Sequence, residues 1–188
     1  MDVFENLFEF RLPRWEELPD FGIYNDQLVT LVTNSCKKLY LDSDNILTAS
    51  MINNYVKLGY LKKPDKKKYY KGHIANLIII TALKQIMSLD IITKGINYEI
   101  SSLGAKEGYD SFCEEFEKSM EIVLLVISDD KKAKEVLLGK DYSIKPELKG
   151  IKAATVSLCC KLITDYYIEN RGSFKPQKQI IDEGEQKE

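Results

Sequence analysis

Apolar positions recur at intervals of three and four residues along most of the chain. From Asp26 to about Tyr40 they fall at Leu28, Leu31, Val32, Cys36 and Leu39, a spacing that lines one face of a helix. Thr48 stands as an N-cap before a helix of about ten residues that ends near Gly59, with Met51, Ile52, Tyr55, Val56 and Leu58 as its apolar positions. A strongly apolar helix is predicted from Ile74 to about Met87, broken by Ser88-Leu89-Asp90, with a capped turn running through Ile96. Two broad stripes follow: Tyr109, Phe112, Cys113, Phe116, Met120, Val123, Leu124 and Ile127, then Ile151, Ala154, Leu158, Cys159, Leu162, Ile163, Tyr166 and Tyr167. Each has a polar back and reads as a helical packing face, in the core or between subunits. Asp129–Asp141 is charged and reads as a shorter helix with connectors, and the pattern fades after Arg171-Gly172. At the other end, a short helical start gives way to an extended segment, Leu12–Asp20, in which Pro13 and Pro19 act as helix breakers. The expected fold class is all-α with at most a small β-wing. The expected division is a head over 1–96, a helical region over 97–172 and a flexible tail over 173–188.

Composition narrows the classes. The chain has 188 residues, 44% of them hydrophobic, with 10 Gly and 5 Pro, enough for one well-packed core. The apolar runs, such as Leu77–Ile80 and Ile122–Ile127, fall well short of the roughly 20 residues that span a bilayer. The acidic start MDVFENLFEF is unlike a secretory signal. Cys36, Cys113, Cys159 and Cys160 form no C-x-x-C pair, which suits thiols in a reducing cytosol and neither a zinc site nor a disulfide framework. With one His, and no phosphate-binding or nucleophile motif, neither a cofactor, a metal nor catalysis is expected. A cytoplasmic location is.

Charge changes the picture once it is divided. The formal net charge of -2 averages a basic middle segment and two acidic ends. Residues 1–36 carry 2 basic and 7 acidic side chains; residues 37–84 carry 10 Lys against Asp42, Asp44 and Asp65; residues 85–188 carry 15 basic and 19 acidic. The net charges are -5, +7 and -4.

Within the basic segment, Ser50, Asn53, Asn54 and Lys57 are spaced to share one helical face. Asn can pair bidentately with adenine in the major groove, and Ser can contact bases or phosphates. A loop with Lys62, Lys63, Lys66, Lys67, Lys68 and Lys71 follows at once, and lysines so placed can neutralise phosphates. Tyr60, Tyr69 and Tyr70 are interleaved with them, to pack the loop or to donate hydroxyls. A helix for bases beside a loop for the backbone is the division of labour that DNA recognition requires. The same residues also suit an ordinary solvated helix and turn. Trp15 is expected to pack the N-terminal arm onto the core, and His73 to support the helix that follows it.

The stretch TASMINNYVKLGYLKKPDKKKYYKGHI, Thr48 to Ile74, resembles the DNA-binding head of the MerR family. The matching pieces are Ser50 to Lys57, Leu58-Gly59-Tyr60-Leu61, Lys62 to Lys68, Tyr69-Tyr70-Lys71, and the later Met87-Ser88-Leu89-Asp90-Ile91-Ile92. A closer resemblance is to the bacterial domain-of-unknown-function family 1836. It is carried by Leu12-Pro13-Arg14-Trp15-Glu16-Glu17-Leu18-Pro19, Tyr24-Asn25-Asp26-Gln27, the block Leu47 to Lys57, and Lys67-Lys68-Tyr69, over roughly residues 10–100. These resemblances imply a winged helix-turn-helix head and a homodimer on a palindromic operator. They place Ser50, Asn53, Asn54 and Lys57 toward the groove, and Lys66, Lys67, Lys68 and Tyr70 on the wing. The segment Leu41–Leu47 is longer than a tight helix-turn-helix turn, and lysines stand where the family has wing arginines, which removes bidentate phosphate contacts.

The expectation is therefore a cytoplasmic transcriptional regulator that binds double-stranded DNA as a homodimer, with a helical half that dimerises it or holds an unidentified small-molecule effector. The alternative is a protein-interaction module on a degenerate winged scaffold that does not bind DNA.

Overall fold

A computed structural model describes residues 10–41, 45–127, 143 and 145–169. Six α-helices are present among them: α1 (Asn25–Cys36), α2 (Ala49–Lys57), α3 (Lys71–Leu83), α4 (Leu89–Leu103), α5 (Ala105–Ile127) and α6 (Lys149–Glu169). Single 3-10 turns lie at Trp15–Glu17, Lys37–Leu39 and Pro146–Leu148. The described residues contain no strand beyond two isolated bridges, Ile23 with Tyr69 and Asp65 with Lys68. The fold is all-α.

α3 is the axis. Ile74, Ala75 and the run Leu77–Leu83 are buried, so this helix is apolar all round and other elements cover it. α1 lies against it through Leu28, Val32 and Cys36. The other flank is covered by α4, α5 and α6, and α5 and α6 make the most extensive helix pair. One continuous core runs from Leu12 to Ile163. Position 96, where the sequence pattern suggests a division, lies inside α4.

The N-terminal arm is clamped onto α5. The Tyr109 hydroxyl donates to the Pro13 carbonyl at 2.7 Å, the Trp15 N–H donates to Asp110 Oδ1 at 2.8 Å, and Arg14 pairs with Glu117 at 2.7 Å. Trp15 packs on Tyr109 with ring centroids 6.3 Å apart. This is the packing role expected of Trp15. The thiols of Cys36, Cys113 and Cys159 are buried, Cys160 is exposed, and all four are free. Burial pushes the Cys36 thiol up to about 12 and Cys113 up to about 11, so neither is a thiolate near neutrality.

Several boundaries differ from the sequence pattern. The helix expected from Asp26 to about Tyr40 is α-helical to Cys36 and passes into the 3-10 turn Lys37–Leu39, and the segment expected to be extended over Leu12–Asp20 holds the 3-10 turn Trp15–Glu17. The helix expected to run from Ile74 to Met87 spans Lys71–Leu83, and the turn expected after Ser88 is the full helix α4. α4 and α5 meet at a single residue, Gly104, at φ 86° and ψ 164°, a conformation essentially reserved for glycine. The short helical start at the N-terminus, the helix expected within Asp129–Asp141 and the tail 173–188 lie outside the described residues. No helix among the described residues is long and apolar enough to cross a membrane.

Candidate nucleic-acid interface

α2 is held at both ends by local chemistry. The Thr48 Oγ1 accepts the Met51 N–H at 3.2 Å, the N-cap bond expected from the sequence. At the other end Gly59 takes φ 81°, and the Tyr60 N–H reaches back to the Tyr55 carbonyl at 2.9 Å, a left-handed C-terminal stop. Ile52 and Tyr55 are buried, whereas Ser50, Asn53, Asn54 and Lys57 are all exposed. The predicted polar face is therefore a solvent face. The link from α1 includes the 3-10 turn Lys37–Leu39, and Lys84 of the segment after α3 anchors its far end by donating to the Ile46 carbonyl.

The lysine loop closes on itself. Asp65 and Lys68 exchange backbone hydrogen bonds of 3.1 and 2.8 Å around Lys66 and Lys67, which sit at φ 45° and 64°. Positive φ at both central positions is the requirement of a type I′ turn. The loop is fastened by Ile23 and Tyr69, which exchange backbone bonds of 2.8 and 2.9 Å. Gly22 lies beneath it: a Cβ there would stand 2.9 Å from Lys68 Cβ and from the Tyr70 ring. His73 Nδ1 accepts the Tyr70 N–H at 3.0 Å, which puts the ring proton on Nε2, 3.4 Å from the Lys63 carbonyl. His73 thus supports the entry to α3, as expected.

The lysines are not equivalent. Lys62, Lys63, Lys66 and Lys67 are exposed, as is Lys57, and none has an ion partner among the described residues. Lys68 is partly covered, its ammonium 5.6 Å from the centre of the Tyr24 ring. Lys71 is committed elsewhere. It pairs with Asp20 and, at 3.7 Å, with Glu16, lies over the Trp15 ring, and leaves 13% of its side chain exposed. Tyr70 is exposed at the start of α3.

One short segment joins helix and loop. Ile23 pairs with Tyr69, Tyr24 lies under Lys68, and Asn25 Nδ2 donates to Asn53 Oδ1 at 3.2 Å. The polar face of α2 and the lysine loop therefore belong to one continuous surface. Phe21 and Tyr24 stand on it, 68% and 52% exposed. The sequence pattern places Tyr24 and Asn25 in the block that carries the family resemblance but gives them no role at the site, and it does not single out Phe21; all three sit in the acidic N-terminal window. Two aromatics close to Gly22, in Phe21-Gly22-Ile23-Tyr24, were the available signal.

The geometry defines a class: an all-helical chain that presents a short polar helix and a lysine-tipped turn on one surface. A family model, described as a domain of unknown function (DUF1836), matches residues 13–118, more than half of the 188, and the chain belongs to that family. The match runs from the N-terminal arm through most of α5, so it takes in the whole candidate surface and leaves out α6. No curated protein and no solved structure matches the chain.

Proposed function

We propose that the protein binds double-stranded DNA as a transcriptional regulator, with α2 in the major groove and the lysine loop on the flanking phosphates in the manner of a MerR-like wing. The observation that carries this reading is the contact of the segment Ile23–Asn25 with both elements, which sets an exposed Ser/Asn face beside lysines that have no ion partner among the described residues. A nine-residue helix is about 13 Å long at 1.5 Å per residue, comparable with the major-groove width of about 12 Å. Lys57, Lys62, Lys63, Lys66 and Lys67 supply salt-dependent affinity, and Ser50, Asn53 and Asn54 supply base choice. Asn53 spends its carbonyl on Asn25, so the bidentate adenine contact falls first to Asn54. Lys68 and Tyr70 line the edge of the contact. Lys71 contributes by fixing the arm to the loop. The protein acts as a cytoplasmic homodimer on a palindromic site and by binding alone, not catalysis.

Sequencing the DNA that co-purifies with the protein tests this. The expected result is enrichment of discrete sites sharing an inverted repeat, and recovered DNA indistinguishable from input would refute it. A second reading, a protein-docking module, is favoured by the exposed aromatics Phe21 and Tyr24, a residue type common at protein interfaces. It predicts no DNA enrichment and loss of a protein partner on Phe21→Ser.

A further inference from the structure

A cavity of about 390 Å³ opens among α3, α4, α5 and the start of α6, away from the lysine loop. Its floor is apolar, with Ile79 of α3, Ile92 of α4, Phe112 of α5 and Ile151 of α6. The volume lies in the range of small-molecule sites, which pair apolar walls with a few convergent polar groups.

The charged groups here carry one sign. Among the described residues, Glu99 and Glu147 line the cavity together with the uncharged Asn76, Tyr98 and Tyr109, and no Lys, Arg or His does. Glu99 Oε2 is buried and has no hydrogen-bond partner among the described residues. Burial, and then the charge of Glu147, raise the Glu99 carboxyl above its ordinary value. A buried acceptor without a partner is costly to leave in place. Glu99 is brought there by a close helix contact: a Cβ on Gly108 of α5 would stand 3.3 Å from Glu99 Cβ. Two other glycines line the space, Gly95 in α4 and Gly150 in α6, and a Cβ at either meets nothing within 4 Å. Glycine within a helix costs about 0.5–1 kcal/mol relative to alanine, and at these positions no neighbour among the described residues requires it.

We propose that this cavity is a binding site for an amphiphilic amine, its aryl or alkyl body on the aliphatic floor and its protonated nitrogen against Glu99, with Glu147 at the rim. Charge selects the occupant. An ammonium supplies the donor that Glu99 lacks and relieves the repulsion between the two carboxylates. A carboxylate of the same shape would add a third like charge, and a neutral molecule would leave that repulsion in place. The site stands independently of the DNA reading.

Three probes of one shape test it: 4-phenylbutylamine, 4-phenylbutan-1-ol and 4-phenylbutyrate, titrated into the 15N-labelled full chain while the amide resonances of Gly95, Gly108 and Gly150 are followed. The amine is expected to shift these glycines and to bind at least about tenfold more tightly than the other two, the worth of one charge-assisted hydrogen bond. Glu99→Gln, which has no partner at Oε2 to lose, should abolish that preference. Gly95→Leu fills open space and should abolish binding of all three probes with the fold intact. Equal affinity for amine and acid would overturn the proposal, as would unmoved glycine resonances at about 1 mM amine. It would also be overturned if Tyr98→Arg, at the mouth of the cavity, turned a dimer into a monomer while the dimer took up no amine. The face would then belong to a second copy of the chain.

Discussion

Replacing Lys152 by methionine should destabilise the protein by about 3 kcal/mol, the lower end of the range for breaking a buried ion pair. The Glu115 side chain is 3% exposed on α5, and Lys152 of α6 reaches its Oε2 at 3.0 Å in an ion contact that lacks hydrogen-bond geometry. Beside the pair, the Ser119 and Thr155 hydroxyls lie 2.7 Å apart in a buried contact. Lys152→Met strands a carboxylate between two helices. Lys118, 3.3 Å away on Glu115's own helix and 31% exposed, remains as a partial partner, which sets the cost at the lower end. For a chain of this size each kcal/mol moves Tm by about 2–4 °C, so the shift is about 6–12 °C. The double variant Glu115→Leu with Lys152→Met replaces the pair by apolar groups and should recover most of the loss, because such replacements are often neutral. Urea unfolding of the four proteins of this cycle, followed by circular dichroism, measures both quantities. A single-variant cost below about 1 kcal/mol, the value of an exposed pair, would refute the reasoning. So would a double variant no more stable than the single.

Thr48→Ala removes the N-cap bond of α2 and should cost about 1 kcal/mol in urea unfolding. Glu17 accepts two bonds from Arg11, at 2.7 and 2.8 Å, and one from the Arg14 N–H, at 2.6 Å; the Arg11 bonds are the main reason that its carboxyl falls from 4.5 to about 2. A lowered folded-state value gives stability that is present above the unfolded value and lost as pH falls through the folded one. Glu17→Gln should therefore flatten the acid limb of the stability curve between 4.5 and about 2. The effect stays below about 1 kcal/mol, because the site is solvent-screened. Lys71→Met should leave the salt dependence of DNA binding unchanged, since Asp20 and Glu16 already hold its ammonium; if that ammonium instead neutralised a phosphate, the slope would fall by about 0.9.

Local signals in the chain read correctly. Thr48 and Gly59 bound α2 in the sequence as in the structure, because a cap and a left-handed stop are set by neighbours a few residues away. α4 reads as a turn in the sequence for a physical reason. Its buried residues Ile92 and Ile96 mark one face, but Ile91, Tyr98 and Ile100 are exposed around the cavity. Apolar residues on two faces, with Gly95 among them, blur the helical period. The site was legible in sign and not in availability. Six loop lysines look alike in sequence, and only the folded arm shows Lys71 spent on Asp20 and Glu16 and Lys68 lying over Tyr24. The joining segment Ile23–Asn25 depends on the bridge to Tyr69, a long-range pairing that no local periodicity encodes. The cavity depends on α4 and α6 meeting α3 and α5, and was equally invisible.

The central claim is that the surface of α2 and the lysine loop binds DNA through phosphate neutralisation. The direct measurement is fluorescence anisotropy with DNA from upstream of the protein's own operon and with random DNA, between about 50 and 200 mM salt, for the wild type and for Lys66→Asn with Lys67→Gly. That variant removes two charges and installs the Asn-Gly pair that a turn with two positive φ angles favours, so the loop keeps its shape. The account predicts that the wild type binds both DNAs and that the variant lowers the slope of log affinity against log salt by about 1.8, at about 0.9 per contact. No wild-type binding at about 50 mM salt, or an unchanged slope in the variant, would contradict it.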